Sequence, residues 1–169
     1  IYFRDYERLF LDIQTDTKIF QITSYFDQIE REGDSLIDAT FHLHNDVNIS
    51  AALRHRLSKS PFISAVGWVA KDGRFFYYEN SNGESYYQKK PNDLLLTSKG
   101  TPVTTTRYVA RERPWYNLPD KTQKKWSGIY NCHGFPGRKC LSFTLKPDEK
   151  DSENFNIERI LIDVNIEYL

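Results

Sequence analysis

Residues 62–78, FISAVGWVAKDGRFFYY, decide the fold class. Phe62 to Ala70 is apolar at nearly every position, as a central strand covered on both faces must be, and Asp72-Gly73 is a two-residue turn signal. Arg74 to Tyr78 then returns as the second arm of a hairpin. A sheet built on this unit is antiparallel. Downstream, Asn82-Gly83 marks another turn, and residues 88–106 are polar and broken by Pro and Gly around a brief Leu94-Leu95-Leu96, which reads as a long excursion. After a short helical turn near Trp115, three more strands are expected at Trp126 to Cys132, Lys139 to Lys146 and Ile157 to Ile166. Asp148 to Asn154 is a solvated acidic loop between the last two.

The final strand carries the most information. Ile160, Ile162, Val164 and Ile166 alternate with Leu161, Asp163 and Asn165, so one face is wholly apolar and belongs against helices. Asp163 points to the other face. A carboxylate on a central strand is costly unless it has a partner or borders a wet cavity.

Before the hairpin the period changes. Phe3, Tyr6, Phe10, Ile13, Phe20, Ile22, Tyr25, Phe26 and Ile29 recur mostly at intervals of three or four, the mark of an amphipathic helix, which Gly33 is expected to stop. A helix of about 30 residues is about 45 Å long, more than one small domain covers, so part of it projects or pairs. Two shorter helices are expected at Ser35 to His44 and at Ser50 to Lys59, the latter capped by Asn48. A helical part at 1–60 followed by a sheet part at 61–169 gives an α+β domain with helices on one face of a five-stranded antiparallel sheet.

Composition sets bounds. The chain has 169 residues, 23 basic against 23 acidic, and 39% hydrophobic. That suits one domain with one core, and the balanced charge argues against nucleic acid as a partner. No run approaches the roughly 18 apolar residues of a membrane span, and no signal peptide is evident. The sequence contains no Met and opens in mid-helix, which implies a piece of a longer polypeptide. The two cysteines, Cys132 and Cys140, flank a Gly/Pro-rich turn. A disulfide across a hairpin mouth in an oxidising compartment fits them, with two free thiols as the alternative. No metal site is expected, since CxxC is absent and His42 and His44, one residue apart in a helical stretch, face apart.

Residues 108–116, Tyr-Val-Ala-Arg-Glu-Arg-Pro-Trp-Tyr, hold the densest mixture of rings and guanidinium groups in the chain. An arginine fork holds a carboxylate through two hydrogen bonds, aromatic walls add rigid surface, and Asp163 supplies an acceptor for an ammonium group. Together they describe a receptor for a zwitterion, of which an amino acid is the simplest. Taken singly, Arg113 also reads as a surface arginine, Trp115 and Tyr116 as a core plug, and Asp163 as a partner for Arg159.

The long N-terminal helix, the hairpin WVAKDGRFFYY, the Arg-Pro-Trp-Tyr segment, WSGIYN and the closing ILIDVNIEYL resemble the membrane-distal lobe of double Cache domains, the PAS-like extracytoplasmic sensors of bacterial receptors. The resemblance covers nearly the whole chain. The amino-acid-binding subset has a Tyr, an Arg five residues on, Trp and Tyr at plus seven and plus eight, a later Tyr, and an Asp in the last strand. Tyr108, Arg113, Trp115, Tyr116, Tyr130 and Asp163 match in order. The resemblance implies that Arg113, Trp115 and Tyr108 hold a ligand carboxylate, while Tyr116, Tyr130 and Asp163 surround its amino group. It further implies a single sensor domain over 1–169, periplasmic or extracellular, in an inner-membrane protein whose membrane helices flank it. The expected output is a histidine kinase, diguanylate cyclase or chemotaxis module, and the expected assembly a homodimer through the N-terminal helix. Two features depart from the pattern: the second lobe would begin where the chain ends at Leu169, and Pro119 cuts short the helix after Trp-Tyr.

A ligand-free dimerisation module is the alternative from a different class. No Ser-His-Asp arrangement, phosphate loop or metal cluster supports an enzyme, and no cofactor is implied. Ligand selectivity is expected from the loop between residues 80 and 106, with Tyr87, Lys89, Lys90 and Asp93 as contributors.

Overall fold

The computed structural model describes residues 2–40, 42–116, 124–132, 137–147 and 156–166, with side chains from Glu7 onward. The expected acidic loop and Pro119 lie outside them. Helix α1 (Tyr2–Thr40) and helix α2 (Asp46–Leu57) come first. Strands β1 (Ile63–Ala70), β2 (Phe75–Glu79), β3 (Ser85–Tyr87) and β4 (Leu96–Thr97) follow. A 3₁₀ turn (Ala110–Glu112) precedes β5 (Lys124–Trp126), β6 (Tyr130–Asn131), β7 (Lys139–Cys140), β8 (Ser142–Leu145) and β9 (Ile157–Val164).

The hairpin and the final strand fall where the sequence puts them, and they adjoin. Trp68 of β1 faces Phe76 of β2 on one side and Ile160 of β9 on the other, all antiparallel. The sheet has seven strands rather than five, in the order β4-β3-β2-β1-β9-β8-β5. The additions come from segments read as loop: β3 and β4 extend the sheet through the excursion after Asn82-Gly83. The expected strand from Trp126 to Cys132 divides into β5, at the sheet edge, and β6, which pairs with β7 in a separate two-stranded ribbon. Likewise the run from Lys139 to Lys146 divides into β7 and β8.

Alternation along β1 and β9 sends side chains to two cores. Val66, Trp68, Ile160, Ile162 and Val164 pack beneath the helices with Ile29, Leu36, Ile49 and Leu53. Val69 and Leu161 face the opposite side with Phe75, Tyr108 and Trp115.

The helical third differs from expectation at three points. Helix α1 continues through Gly33, because glycine here permits close packing: an added Cβ would sit 2.9 Å from both Leu145 methyls and 3.0 Å from the Phe143 ring. Buried positions 25, 29, 33, 36 and 40 form the stripe that lies on β8 and its neighbours. The helix expected from Ser35 is thus the end of α1, and His42 and His44 follow it outside any helix. Helix α2 starts earlier and is capped by Asn45, whose side chain accepts from the backbone N–H of Asn48 at 2.7 Å.

Only the second half of α1 is covered. Leu9, Phe10, Leu11, Ile13, Ile19 and Phe20 are all more than half exposed. From Glu7 to Ile22 about 24 Å of helix carries no sheet beneath it. Among the described residues no helix is long and apolar enough to cross a membrane.

Replacing Gly33 by Val tests the close packing of α1. The added methyls overfill the contact with Leu145 and Phe143, and the expected loss is about 1–3 kcal/mol. Urea denaturation of both proteins measures it; equal midpoints would show that α1 does not rest on β8 there.

Candidate functional site

Asp163 lies on the face of β9 turned away from the helices, paired with Ala65 of β1 and Ser142 of β8. It is 3% exposed. Ser142 Oγ donates to its Oδ1 at 2.5 Å and the Tyr77 hydroxyl to its Oδ2 at 2.8 Å. Because Ser142 has one hydroxyl proton and gives it to Asp163, the 2.6 Å contact between Tyr130 and Ser142 has Tyr130 as donor. Burial raises the carboxyl above its ordinary range, while the bonds from Ser142 and Tyr77 and the positive charge of Arg138 act against that rise. The phenols of Tyr77 and Tyr130 are raised too, by burial first and by the Asp163 charge second, so both remain protonated donors at neutral pH.

The ribbon of β6 and β7 forms the wall beside this carboxylate. Its strands are joined by the Cys132–Cys140 disulfide, with Cα atoms 5.4 Å apart. Cys140 Sγ lies 3.9 Å from Asp163 Oδ2, a contact only, since a disulfide sulfur has no hydrogen to donate. Arg138, at the base of the ribbon, forms an ion pair with buried Glu79 at the end of β2. Tyr86 and Asn82 also donate to that glutamate.

Opposite stands Arg113, at the end of the 3₁₀ turn. Its guanidinium lies 5.3 Å from the Tyr108 ring centroid, and its Nε is buried with no hydrogen-bond partner among the described residues. A buried guanidinium donor left unmatched is costly, which marks a place where an acceptor belongs. Tyr108 stacks on Phe75 at 4.8 Å, and Phe75 lies 5.7 Å from Trp115. Gln88 fixes this side of the site. Its side-chain carbonyl accepts from Phe75 N at 2.9 Å, while its amide donates to the carbonyls of Asp93 at 2.8 Å and Tyr108 at 2.7 Å. One buried amide thereby ties β2, the excursion and the start of the arginine segment together.

Between these walls is a cavity of about 30 Å³. Tyr108, Arg113, Trp115, Tyr130 and Asp163 all line it, so five of the six residues singled out in the sequence converge. Tyr116 does not line it. Its ring packs edge-on against Trp115 and its hydroxyl donates to Glu158, which also pairs with Arg111 at 2.7 Å. The Arg159 guanidinium lies over Tyr116 at 4.6 Å, which answers the alternative pairing of Arg159 with Asp163. The excursion contributes Leu95 to the cavity. Lys89, Lys90 and Asp93, expected at the site, are exposed, and Tyr87 lines a groove on the helix side of the sheet. Phe75, Tyr77, Leu161 and the disulfide also line the cavity. The alternation of Phe75 and Tyr77 along β2 was the available signal for the first two. Among the described residues no cluster of His, Cys, Asp and Glu is suited to a metal ion.

No family model matches the chain. The extracellular domain of vpHK1S-Z8, assigned as a histidine kinase, superposes with a TM-score of 0.53 at 13% identity, over 89% of this chain and 55% of that one. The chain therefore shares the α+β fold of that extracellular domain. A domain of a protein assigned to the sensory box/GGDEF family of Vibrio parahaemolyticus gives 0.53 at 14% identity, over 89% of this chain and 58% of that one. In sequence, 148 residues (86% of the chain) are 30% identical to "Probable cyclic di-GMP phosphodiesterase PdeI" of Escherichia coli (strain K12). The chain spans 19% of that protein's length.

The raised Asp163 carboxyl makes a testable claim about the domain itself. Its folded pKa exceeds the unfolded value, so its stabilising contribution is present below about pH 4 and is lost as pH rises through the folded pKa. Asp163→Asn removes that dependence. The stability of the variant relative to the parent is expected to increase from pH 4 to pH 7 in paired urea titrations. A difference that stays flat over this range refutes the assignment of a raised carboxyl.

Proposed function

We propose that the chain is the ligand-sensing domain of an extracytoplasmic receptor and binds an amino acid or related amine between Arg113 and Asp163. The observation that carries this reading is the buried, unmatched Arg113 Nε in the same cavity as the buried Asp163 carboxylate. A carboxylate of the ligand matches the arginine fork through two hydrogen bonds. Asp163 uses one lone pair of each oxygen on Ser142 and Tyr77 and retains acceptor capacity for an ammonium group. The ring walls of Tyr108, Trp115 and Tyr130 favour a cation near their faces.

The domain itself is read as non-catalytic, with the catalytic or signalling output elsewhere in the full-length protein. The names of the similar proteins, a histidine kinase, a GGDEF family member and a cyclic di-GMP phosphodiesterase, support an output of two-component or cyclic di-GMP type. The extracellular origin of the vpHK1S-Z8 domain and the intramolecular disulfide support an extracytoplasmic location.

A ligand that stabilises the folded state raises Tm. At about 100 times Kd the gain is about 2.7 kcal/mol, or roughly 5–10 °C for a domain of this size. Scanning fluorimetry with the standard amino acids and simple amines is expected to find such a stabiliser, and Arg113→Ala to abolish its effect while leaving the basal Tm within a few degrees. A stabiliser that acts equally on the parent and on Arg113→Ala rules out the proposed site.

The exposed face of α1 supports association of two copies. Phe10, Ile13 and Phe20 recur along the uncovered half of the helix at intervals suited to a coiled-coil seam, and all three are more than half exposed. Phe10→Glu combined with Phe20→Glu is expected to convert a concentration-dependent dimer to monomer in sedimentation velocity. Identical sedimentation of parent and double variant across the concentration range excludes this helix as the interface.

A further inference from the structure

We propose that the site selects small, uncharged α-amino acids of about the size of glycine and L-alanine. This rests on the zwitterion reading above and adds to it the identity of the ligand side chain. The first ground is an account of the polar groups in the cavity. Tyr77 donates to Asp163, and Tyr130 donates to Ser142. The Tyr108 hydroxyl accepts a hydrogen bond from Trp115. These groups are engaged with one another, so Arg113 and Asp163 are the two charged groups left to meet a ligand, and the carboxylate and ammonium of its α-carbon occupy both. Among the described residues that line the cavity, no further charged side chain remains for a third polar group. A charge on the ligand side chain would be desolvated without an opposite charge.

The second ground is space. The remaining walls are Phe75, Leu95, Leu161, Trp115 and the Cys132–Cys140 disulfide. Phe75, Leu161 and Trp115 are each 1% exposed and Leu95 is 2% exposed. Phe75 has no room to retreat toward the sheet, because its ring already lies over Gly67, where an added Cβ would be 2.8 Å away. The disulfide fixes the ribbon side covalently. With about 30 Å³ available, a ligand enters by displacing close-packed groups, and each added methylene must displace more.

The test is isothermal titration of the 169-residue chain with glycine, L-alanine, L-serine, L-leucine, L-aspartate and L-lysine. Glycine, L-alanine or L-serine is expected to bind most tightly, L-leucine roughly tenfold or more weakly, and L-aspartate and L-lysine without detectable heat. A second arm uses Leu95→Val, a small change chosen to keep the fold, which is expected to improve binding of 2-aminobutyrate relative to L-alanine. Tighter binding of L-leucine, L-aspartate or L-lysine than of glycine and L-alanine overturns the size and charge inference while leaving the zwitterion site in place. Failure of every amino acid to bind overturns both.

Discussion

A carboxylate buried in the middle of a sheet is the constraint around which the rest of this domain is arranged. Asp163 occupies the central strand pair, out of contact with water, and its isolated charge would be prohibitive there. Ser142 on β8 and Tyr77 on β2 come from strands on either side to hydrogen-bond it, and Tyr130 on the ribbon supports Ser142. Three separate elements thus support one side chain, two directly and one through Ser142. Those bonds oppose the effect of burial without cancelling it, and the carboxyl remains raised. A residual cost of this kind is expected at a binding site, where a cationic group supplies what the protein alone does not.

The opposite wall shows the same logic with the sign reversed. Arg113 has a ring beneath it and an unmatched Nε, while the Gln88 amide on the same side of the site makes all of its bonds. Buried polar groups in folded proteins are nearly always satisfied. Ser60 Oγ and Arg159 Nε are also unmatched among the described residues, but of the three only Arg113 Nε belongs to a residue that lines the cavity. Gln88 also explains how a segment with little regular structure is held firmly enough to make a wall: three side-chain hydrogen bonds replace the missing strand ladder.

Much of this was legible in the sequence because the signals were local. The Asp-Gly turn fixed β1 against β2, and the alternation of Ile160, Leu161, Ile162 and Asp163 assigned each residue to its face. The convergence of Tyr108, Arg113, Trp115, Tyr130 and Asp163 followed from a matching motif, whereas Tyr116 shares the motif and turns instead to Glu158. What was hidden depends on partners distant in the chain. Gly33 looks like a helix stop in isolation, and only the facing Leu145 and Phe143 turn it into a contact point. Strands β3 and β4 are two or three residues long, too short for periodicity to register, and they exist because the exposed edge of β2 offers them hydrogen bonds.

The site and the helix meet through β9. Two residues beyond Asp163, the carbonyl of Asn165 accepts from the Tyr25 hydroxyl of α1 at 3.3 Å, and the same hydroxyl donates to Phe62 at the start of β1 at 2.9 Å. On the other side of α1, Trp126 of β5 donates to Glu30 at 2.9 Å and packs edge-on against Phe26 at 4.5 Å. The covered half of α1 is thus fastened to the ends of the strand pair that carries Asp163 and to the edge strand beside β8, which carries Ser142. A cation at Asp163 changes the energetics of one face of β9 while the opposite face is packed beneath α1. On the proposed reading, a ligand would bias the helix only by its difference in affinity between two arrangements of these contacts. Tyr25 and Glu30 are the polar anchors at which such arrangements would differ, because a hydrogen bond is made or lost over a fraction of an ångström whereas the apolar contacts around them vary gradually.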